Sequence, residues 1–233
     1  MTKPVHLDIA GRSLPLAVRR SGTARRMSLR LDPAGRLVVV LPVGVPLAEA
    51  ERFARGQTEW IASRLSKLGE GITFAPGTVV PLLGVDHVVR HSPEARRGVW
   101  AEAGEINVSG RPEHLARRLE EFLKAEARLV LAHRSRHFAQ AADRPLGRVT
   151  VRDTKSRWGS CSASGDLSFS WRLVMAPDWV LDYVVAHEVA HLAEMNHSPR
   201  FWRLVETLVG DPAPAKAWLK RHGPDLHRVG APP

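Results

Sequence analysis

The segment from Pro177 to Ala190 constrains the fold more than any other part of the sequence. Pro177 marks a helix start, and the residues that follow are mostly apolar, which predicts a buried helix. This segment and the residue after it nevertheless carry His187, Glu188 and His191. Unpaired polar groups in a protein interior cost on the order of several kcal/mol, so these three side chains need a common partner.

The spacing of the two histidines predicts a metal site. Residues four apart project from one face of a helix, so His187 and His191 can bind one ion, and Glu188 can reach a metal-activated water. A catalytic zinc needs a third protein ligand and one open position. His197 is the predicted third ligand, and Glu206 on a following helix is the alternative.

His197 can reach the same ion only where the chain turns back after His191. Asn196 tolerates the left-handed conformation that ends many helices, and Pro199 suits the first position of a new helix. We therefore expect the helix to end at Asn196 and a second one to start near Pro199.

These residues predict a zinc-dependent enzyme that hydrolyses peptide bonds. Zinc would lower the pKa of a bound water towards about 7 and polarise a carbonyl oxygen. Glu188 would take the proton of the water as general base and deliver it to the leaving amine. The predicted substrate is a peptide or protein, and the predicted cofactor is Zn²⁺.

Two other sets of reactive side chains are less suited to catalysis. Cys161 and Ser160 are potential nucleophiles, but the sequence spacing assigns no base to either. His133 and His137 are also four residues apart, but arginines surround them and no carboxylate lies between them. That pattern favours a solvated helix face.

The remaining sequence predicts an α+β fold with two domains. Alternating and β-branched runs indicate strands in the first part, with a helix from about Pro46 to Leu68. A longer helix is expected from Pro112 to about Ala142. We therefore expect a basic, β-rich N-terminal domain at residues 1–110 and a domain with the HExxH helix at residues 111–233. No internal repeat is evident.

The charge balance suggests an anionic partner as well. The chain of 233 residues has 34 Lys and Arg against 24 Asp and Glu, a net charge of +10. Residues 1–150 hold 24 basic and 15 acidic side chains, whereas residues 151–233 hold 10 and 9. Because 28 of the basic residues are arginine, a GC-rich genome would explain the composition equally well. The alternative function is a nucleic-acid-associated protein, either a DNA-recruited protease or a binding module with a structural zinc.

No segment of the sequence predicts a membrane span. The longest apolar stretch, Leu37 to Ala48, is about a dozen residues and contains two prolines, whereas a bilayer needs about 20 apolar residues. The N-terminus lacks an apolar core of signal-peptide length. We expect a cytoplasmic protein.

A run of motifs in residues 152–202 resembles a known family. The motifs are SRWGSC from Ser156, Trp171–Arg172–Leu173, and HEVAHLAEMNHSPRFW from His187. Together they resemble the YgjP-like metallopeptidases, and weaker similarity covers RRMSLRLDPAGRLVVVLP from Arg25. The resemblance implies a zincin-like domain, with the three histidines as zinc ligands and Glu188 as the catalytic base. SprT-like proteases are more distantly similar.

The resemblance also suggests where a substrate would bind. Residues 156–174 predict a hairpin before the HExxH helix, and zincins typically bind extended substrate along a strand at this place. On position alone, strand 167–173 is expected to pair with substrate. Arg172 and Tyr183 are candidates for stabilising an oxyanion or orienting a ligand, with core or surface pairing as the commoner role.

Overall fold

The computed structural model describes residues 5–9, 11–31, 36–65, 72–154 and 157–230. In these residues it contains three β-sheets and six α-helices, which confirms the predicted α+β fold. The backbone contacts divide the chain into two compact units, residues 1–70 and residues 71–233. None of the helices in the described part combines the length and apolarity needed to cross a bilayer.

The first unit is one sheet with two helices. Its strands are β1 (Val5–Ile9), β2 (Arg12–Ser21), β3 (Ser28–Leu31) and β4 (Leu37–Pro42), in the order β1-β2-β4-β3, followed by α1 (Leu47–Arg55) and α2 (Thr58–Leu65). Alternate residues such as Leu37 and Val39 are buried in one core with Ala50 and Ile61 of the helices. The single helix expected at residues 46–68 is therefore two helices, separated at Gly56 and Gln57; residues 66–68 lie outside the described part.

The second unit begins with a sheet of the same topology. It consists of β5 (Val79–Leu82), β6 (Val85–His91), β7 (Val99–Glu102) and β8 (Glu105–Val108), in the order β5-β6-β8-β7. In both sheets the outer pairs are antiparallel and the central pair is parallel. The segments 18–26 and 89–97, VRRSGTARR and VRHSPEARR, occupy equivalent places and share six of nine residues. An internal repeat is therefore present, contrary to the expectation from sequence.

The predicted domain boundary at residue 111 lies inside the second unit. The cause is the long helix α3 (Leu115–Ala141), which follows a 3-10 turn at Pro112–His114. Val89 and Ile106 of the sheet share one hydrophobic core with Leu119 and Leu123 of α3. Because the apolar faces of sheet and helix bury each other, the compact unit starts before this sheet rather than after it.

The last part of the chain builds a small sheet and three helices. The elements are β9 (Val149–Arg152), β10 (Gly159–Cys161), β11 (Leu167–Ser170), a 3-10 helix (Trp171–Met175), α4 (Asp178–Ala190), α5 (Pro199–Val209) and α6 (Ala213–Leu226). The strand order is β10-β11-β9. The predicted hairpin is confirmed, but its second strand ends at Ser170, and β11 has a neighbour on each side. The expectation that strand 167–173 pairs with substrate is therefore wrong.

Candidate metal centre

Helix α4 is the buried helix that the sequence predicts. It starts after Pro177, and most of its residues between Val180 and Ala190 are buried in the core of the second unit. His187 is half-buried and Glu188 is only 7% exposed. The packing of the helix therefore buries Glu188 and shields His187 in part from solvent.

The helix ends earlier than predicted. Its last residue is Ala190, and His191 follows in a right-handed helical conformation, so it still lies one turn from His187. Asn196 does not have a positive φ; its side-chain Oδ1 accepts a hydrogen bond from the Ser198 amide at 3.1 Å instead. Asn196 therefore shapes the turn by hydrogen bonding rather than by a left-handed backbone.

The next helix begins as predicted. Pro199 occupies its first turn, and the hydroxyl of Ser198 caps it by accepting a hydrogen bond from the Phe201 amide at 3.3 Å. This cap fixes the direction in which the chain returns towards α4. His197, two residues before the helix, is carried back to the histidines of α4.

The structure brings His187, His191 and His197 together. One ring nitrogen from each lies within 4.8 Å of the other two, and the Nε2 atoms of His187 and His197 are 3.1 Å apart. Two nitrogens bound at about 2.0–2.1 Å to one tetrahedral zinc would lie roughly 3.3 Å apart, which is close to this distance. Glu206 is exposed on α5 and is not part of the group.

A hydrogen bond at Nδ1 determines the tautomer of His191. Its Nδ1 lies 3.0 Å from the carbonyl oxygen of Glu194, which can only accept a hydrogen bond, so Nδ1 carries the proton. The Nε2 atom is then left with a free lone pair, as a metal ligand requires. The Nδ1 atom of His187 is buried without a hydrogen-bond partner in the described part of the chain.

The surroundings of His187 and His191 favour the neutral form of both rings. Burial is the largest cause that lowers the pKa of His187 to about 4, and the neighbouring histidines add to it. Burial also lowers the pKa of His191. Neutral imidazole is the form that binds a metal, so the lowered pKa values of His187 and His191 suit metal binding, and a set of three imidazole nitrogens fits zinc.

Glu188 lies beneath strand β10. Burial raises the pKa of its carboxyl to about 7, against the opposing effect of Arg157. A Cβ atom at Gly159 would lie 2.5 Å from Cγ and 2.6 Å from Oε1 of Glu188. Gly159 was not among the predicted site residues, although a glycine within a strand is a known sign of close approach by another group.

Strand β10 forms one edge of its sheet, and a packed cluster supports it. Trp158, just before the strand, stacks on His227 with ring centroids 4.2 Å apart. Gly223 of α6 comes close to the same indole, because a Cβ there would meet Trp158 at 3.2 Å. The C-terminal part of the chain therefore holds the strand that covers Glu188.

The other candidate residues have different surroundings. Burial, with added repulsion from Glu188, raises the pKa of Cys161, which disfavours a thiolate nucleophile. Arg172 is buried, donates to the carboxylate of Asp153 and to the Val229 carbonyl, and so has a structural role. Tyr183 contacts the His187 ring edge-on, with centroids 5.9 Å apart.

The pair His133 and His137 lies on the exposed surface of α3. Neither belongs to a group of metal-binding side chains among the described residues. This placement agrees with a solvated helix face.

Comparisons with known proteins place this site in a family. The model of the YgjP-like metallopeptidase domain matches residues 25–222. Among solved structures, one similar to this chain is the crystal structure of the metallopeptidase zymogen of Pyrococcus abyssi abylysin. The two sequences are 25% identical, the match covers 44% of this chain and 97% of that chain, and the TM-score is 0.35. No curated protein matches the chain. Because the family model spans most of the sequence, including all three histidines and Glu188, the chain belongs to the YgjP-like metallopeptidase family.

Proposed function

We propose that the chain is a zinc-dependent peptidase whose reaction centre consists of His187, His191, His197 and Glu188. The observation that carries the proposal is the convergence of three imidazole nitrogens within 4.8 Å, with the buried carboxylate of Glu188 on the residue next to His187. Family membership supplies the class of reaction, the hydrolysis of peptide bonds. The donor set supports zinc, because three histidines leave one position open in a tetrahedral site.

When bound, zinc would supply Lewis acidity towards a water and a peptide carbonyl. Glu188 supplies the proton transfer. Its carboxylate accepts a proton from the attacking water and passes it to the nitrogen of the leaving amine. A pKa near 7 suits both steps, because the group can hold and release a proton at neutral pH.

The edge of β10 is the proposed binding surface for the substrate backbone. Hydrogen bonds from Ser162 N to Asp166 O and from Ser170 N to Trp158 O are both 2.9 Å. In an antiparallel pair, residues hydrogen-bonded to the partner strand alternate with residues whose backbone groups point away from it. The backbone N–H and C=O of Ser160 therefore also face β11.

The backbone groups of Gly159 and Cys161 therefore face the open edge, where no described strand pairs with them. An extended peptide added there would run beside Glu188, which lies against Gly159.

Metal removal and ligand substitution test the proposed site. The purified protein should cleave a denatured protein substrate, lose this activity with a chelator and regain it with added zinc. His197→Ala should lower zinc affinity by more than roughly tenfold, because even residues that only support a ligand contribute about that much. The matched control, Glu206→Ala, removes the rival ligand and should retain zinc and activity.

The result that contradicts the proposal is equally specific. Zinc retained by His197→Ala but lost from Glu206→Ala would move the third ligand to α5. Hydrolysis that survives complete zinc removal would exclude a zinc-dependent reaction.

The nucleic-acid alternative stays a prediction. A structural zinc usually has four protein ligands, whereas the group in the described residues has three. That difference favours the peptidase over a binding module. Recruitment of a peptidase to DNA would concern the basic residues of the first unit, among which Arg19, Arg25 and Arg26 are exposed.

A further inference from the structure

A lysine lies beside the three histidines. The Nζ atom of Lys216, near the start of α6, is 3.5 Å from the ring centroid of Trp202. The same ring is 5.8 Å, centroid to centroid, from both His187 and His197. The charge of Lys216 also reaches His187, where it is one of the smaller causes of the lowered pKa. The ammonium group and the histidine cluster therefore both lie close to the Trp202 ring.

Lys216 has no anionic partner among the residues that the structure describes. Its side chain is exposed, and no carboxylate among the described residues lies within ion-pair distance of it. Lys124, by contrast, pairs with Glu120 on the same helix. The cation–π contact with Trp202 holds the ammonium in position without neutralising its charge.

A cation at this place opposes the binding of a metal ion. Like charges repel, and the repulsion is stronger near a partly buried site than in bulk water. An anionic group that binds next to the metal would reverse this effect, because it would be attracted by both charges. The position of Lys216 therefore fits an anion that arrives with the substrate.

We propose that Lys216 binds a carboxylate of the peptide substrate next to the bond that is cleaved. This inference rests on the proposed peptidase function and names its substrate class. The carboxylate has two possible sources, the C-terminus of the peptide or the side chain of an aspartate or glutamate. In the first case the enzyme removes residues from a C-terminus, and in the second it cleaves inside chains beside acidic residues.

The test uses two matched pairs of peptides with the full-length, zinc-loaded protein. The first pair differs only in a free C-terminal carboxylate or an amide. The second pair is blocked at both ends and differs in Glu or Gln beside the cleaved bond. The wild type should prefer the carboxylate member of at least one pair in kcat/KM, and the responding pair identifies the source.

Substitution of the lysine should remove this preference. Lys216→Met should lower the carboxylate-to-neutral ratio of kcat/KM about tenfold, as expected for one charge-assisted hydrogen bond. Lys216→Arg should keep most of the preference, because it retains the cation. The matched control Lys220→Met removes an exposed charge one turn further along α6 and should leave the ratio unchanged.

A binding measurement separates this proposal from the peptidase function. The Kd of each peptide is measured by calorimetry for the zinc-loaded Glu188→Gln variant, which should bind the carboxylate peptide more tightly than its neutral partner. The double variant that also carries Lys216→Met should lose this preference. A ratio that is near one in the wild type, or that Lys216→Met does not change, would overturn the role of Lys216. Absence of hydrolysis for every peptide would contradict the peptidase function, and the Kd values would then decide the role of Lys216.

Discussion

Gly159 is the residue whose role depends most directly on its lack of a side chain. A Cβ atom there would lie 2.5 Å from Cγ of Glu188, and Glu188 is only 7% exposed, so its side chain would have to move within the interior. Gly159→Ala should therefore displace the carboxylate and lower kcat about a hundredfold, since a misplacement of roughly 1 Å has that effect. Zinc content should not change.

The control for this substitution is Gly22→Ala. It adds the same methyl group at a position where a Cβ would meet no atom within 4 Å. Peptide hydrolysis and bound zinc, measured for both variants, separate an effect on Glu188 from a general effect on the fold. Wild-type kcat in Gly159→Ala would show that the strand does not fix the carboxylate.

The sequence was sufficient to select the side chains that converge in the site. His187 and Glu188 are local to one helix, so helical periodicity and burial predict their position. Gly159 was missed because its contact with Glu188 joins strand β10 to α4, and no periodicity relates two elements so far apart. Lys216 was missed for the same reason, since its neighbour Trp202 lies on another helix.

At the level of elements, strand β10 offers a test of substrate pairing. Cys161→Pro removes an amide that faces the open edge and leaves the bonds of Ser160 to β11 in place. We expect lower peptide hydrolysis, mainly through a higher KM, with zinc still bound. Cys161→Ala keeps the amide and should retain activity, which also tests the thiol as a nucleophile.

The opposite pattern would be decisive against edge pairing. If Cys161→Pro cleaves peptides like the wild type, substrate does not use the β10 edge. If Cys161→Ala is inactive while it holds zinc, the thiol takes part in the reaction.

The predicted roles and ends of helices and strands were wrong where contacts with elements distant in sequence determine them. The hairpin that contains β10 and β11 was predicted from turn residues, but its place in the sheet depends on β9, which pairs with β11 in parallel. The parallel pair closes the edge that the sequence alone left available to substrate. The end of α4 at Ala190 differs from the prediction because the hydrogen bonds of Asn196 and Ser198 form the turn.

At the level of the whole molecule, repeated topology explains why the domain boundary was misplaced. Two sheets of the same strand order follow each other, and both read as one β-rich region in the sequence. Only packing distinguishes them, because Val89 and Ile106 of the second sheet are buried with α3. The repeat itself is weak in sequence outside segments 18–26 and 89–97.

The repeat also changes the interpretation of the net charge. Residues 1–70 hold 12 Lys and Arg against 6 Asp and Glu, and residues 71–233 hold 22 against 18. Arg25 and Arg26, in the loop between β2 and β3, correspond to Arg96 and Arg97, in the loop between β6 and β7, and all four are exposed. The positive charge therefore belongs partly to a repeated arginine pair and not only to the N-terminal unit.

Glu188 is proposed to transfer the proton in a metal-dependent hydrolysis of peptide bonds. Replacement by glutamine keeps the shape of the side chain but removes its ability to accept a proton. The most direct measurement is therefore kcat for peptide cleavage by Glu188→Gln, with zinc content determined in the same sample. We predict one zinc per chain and a loss of kcat of at least about a hundredfold. Wild-type kcat in a zinc-loaded Glu188→Gln protein would show that Glu188 does not transfer the proton.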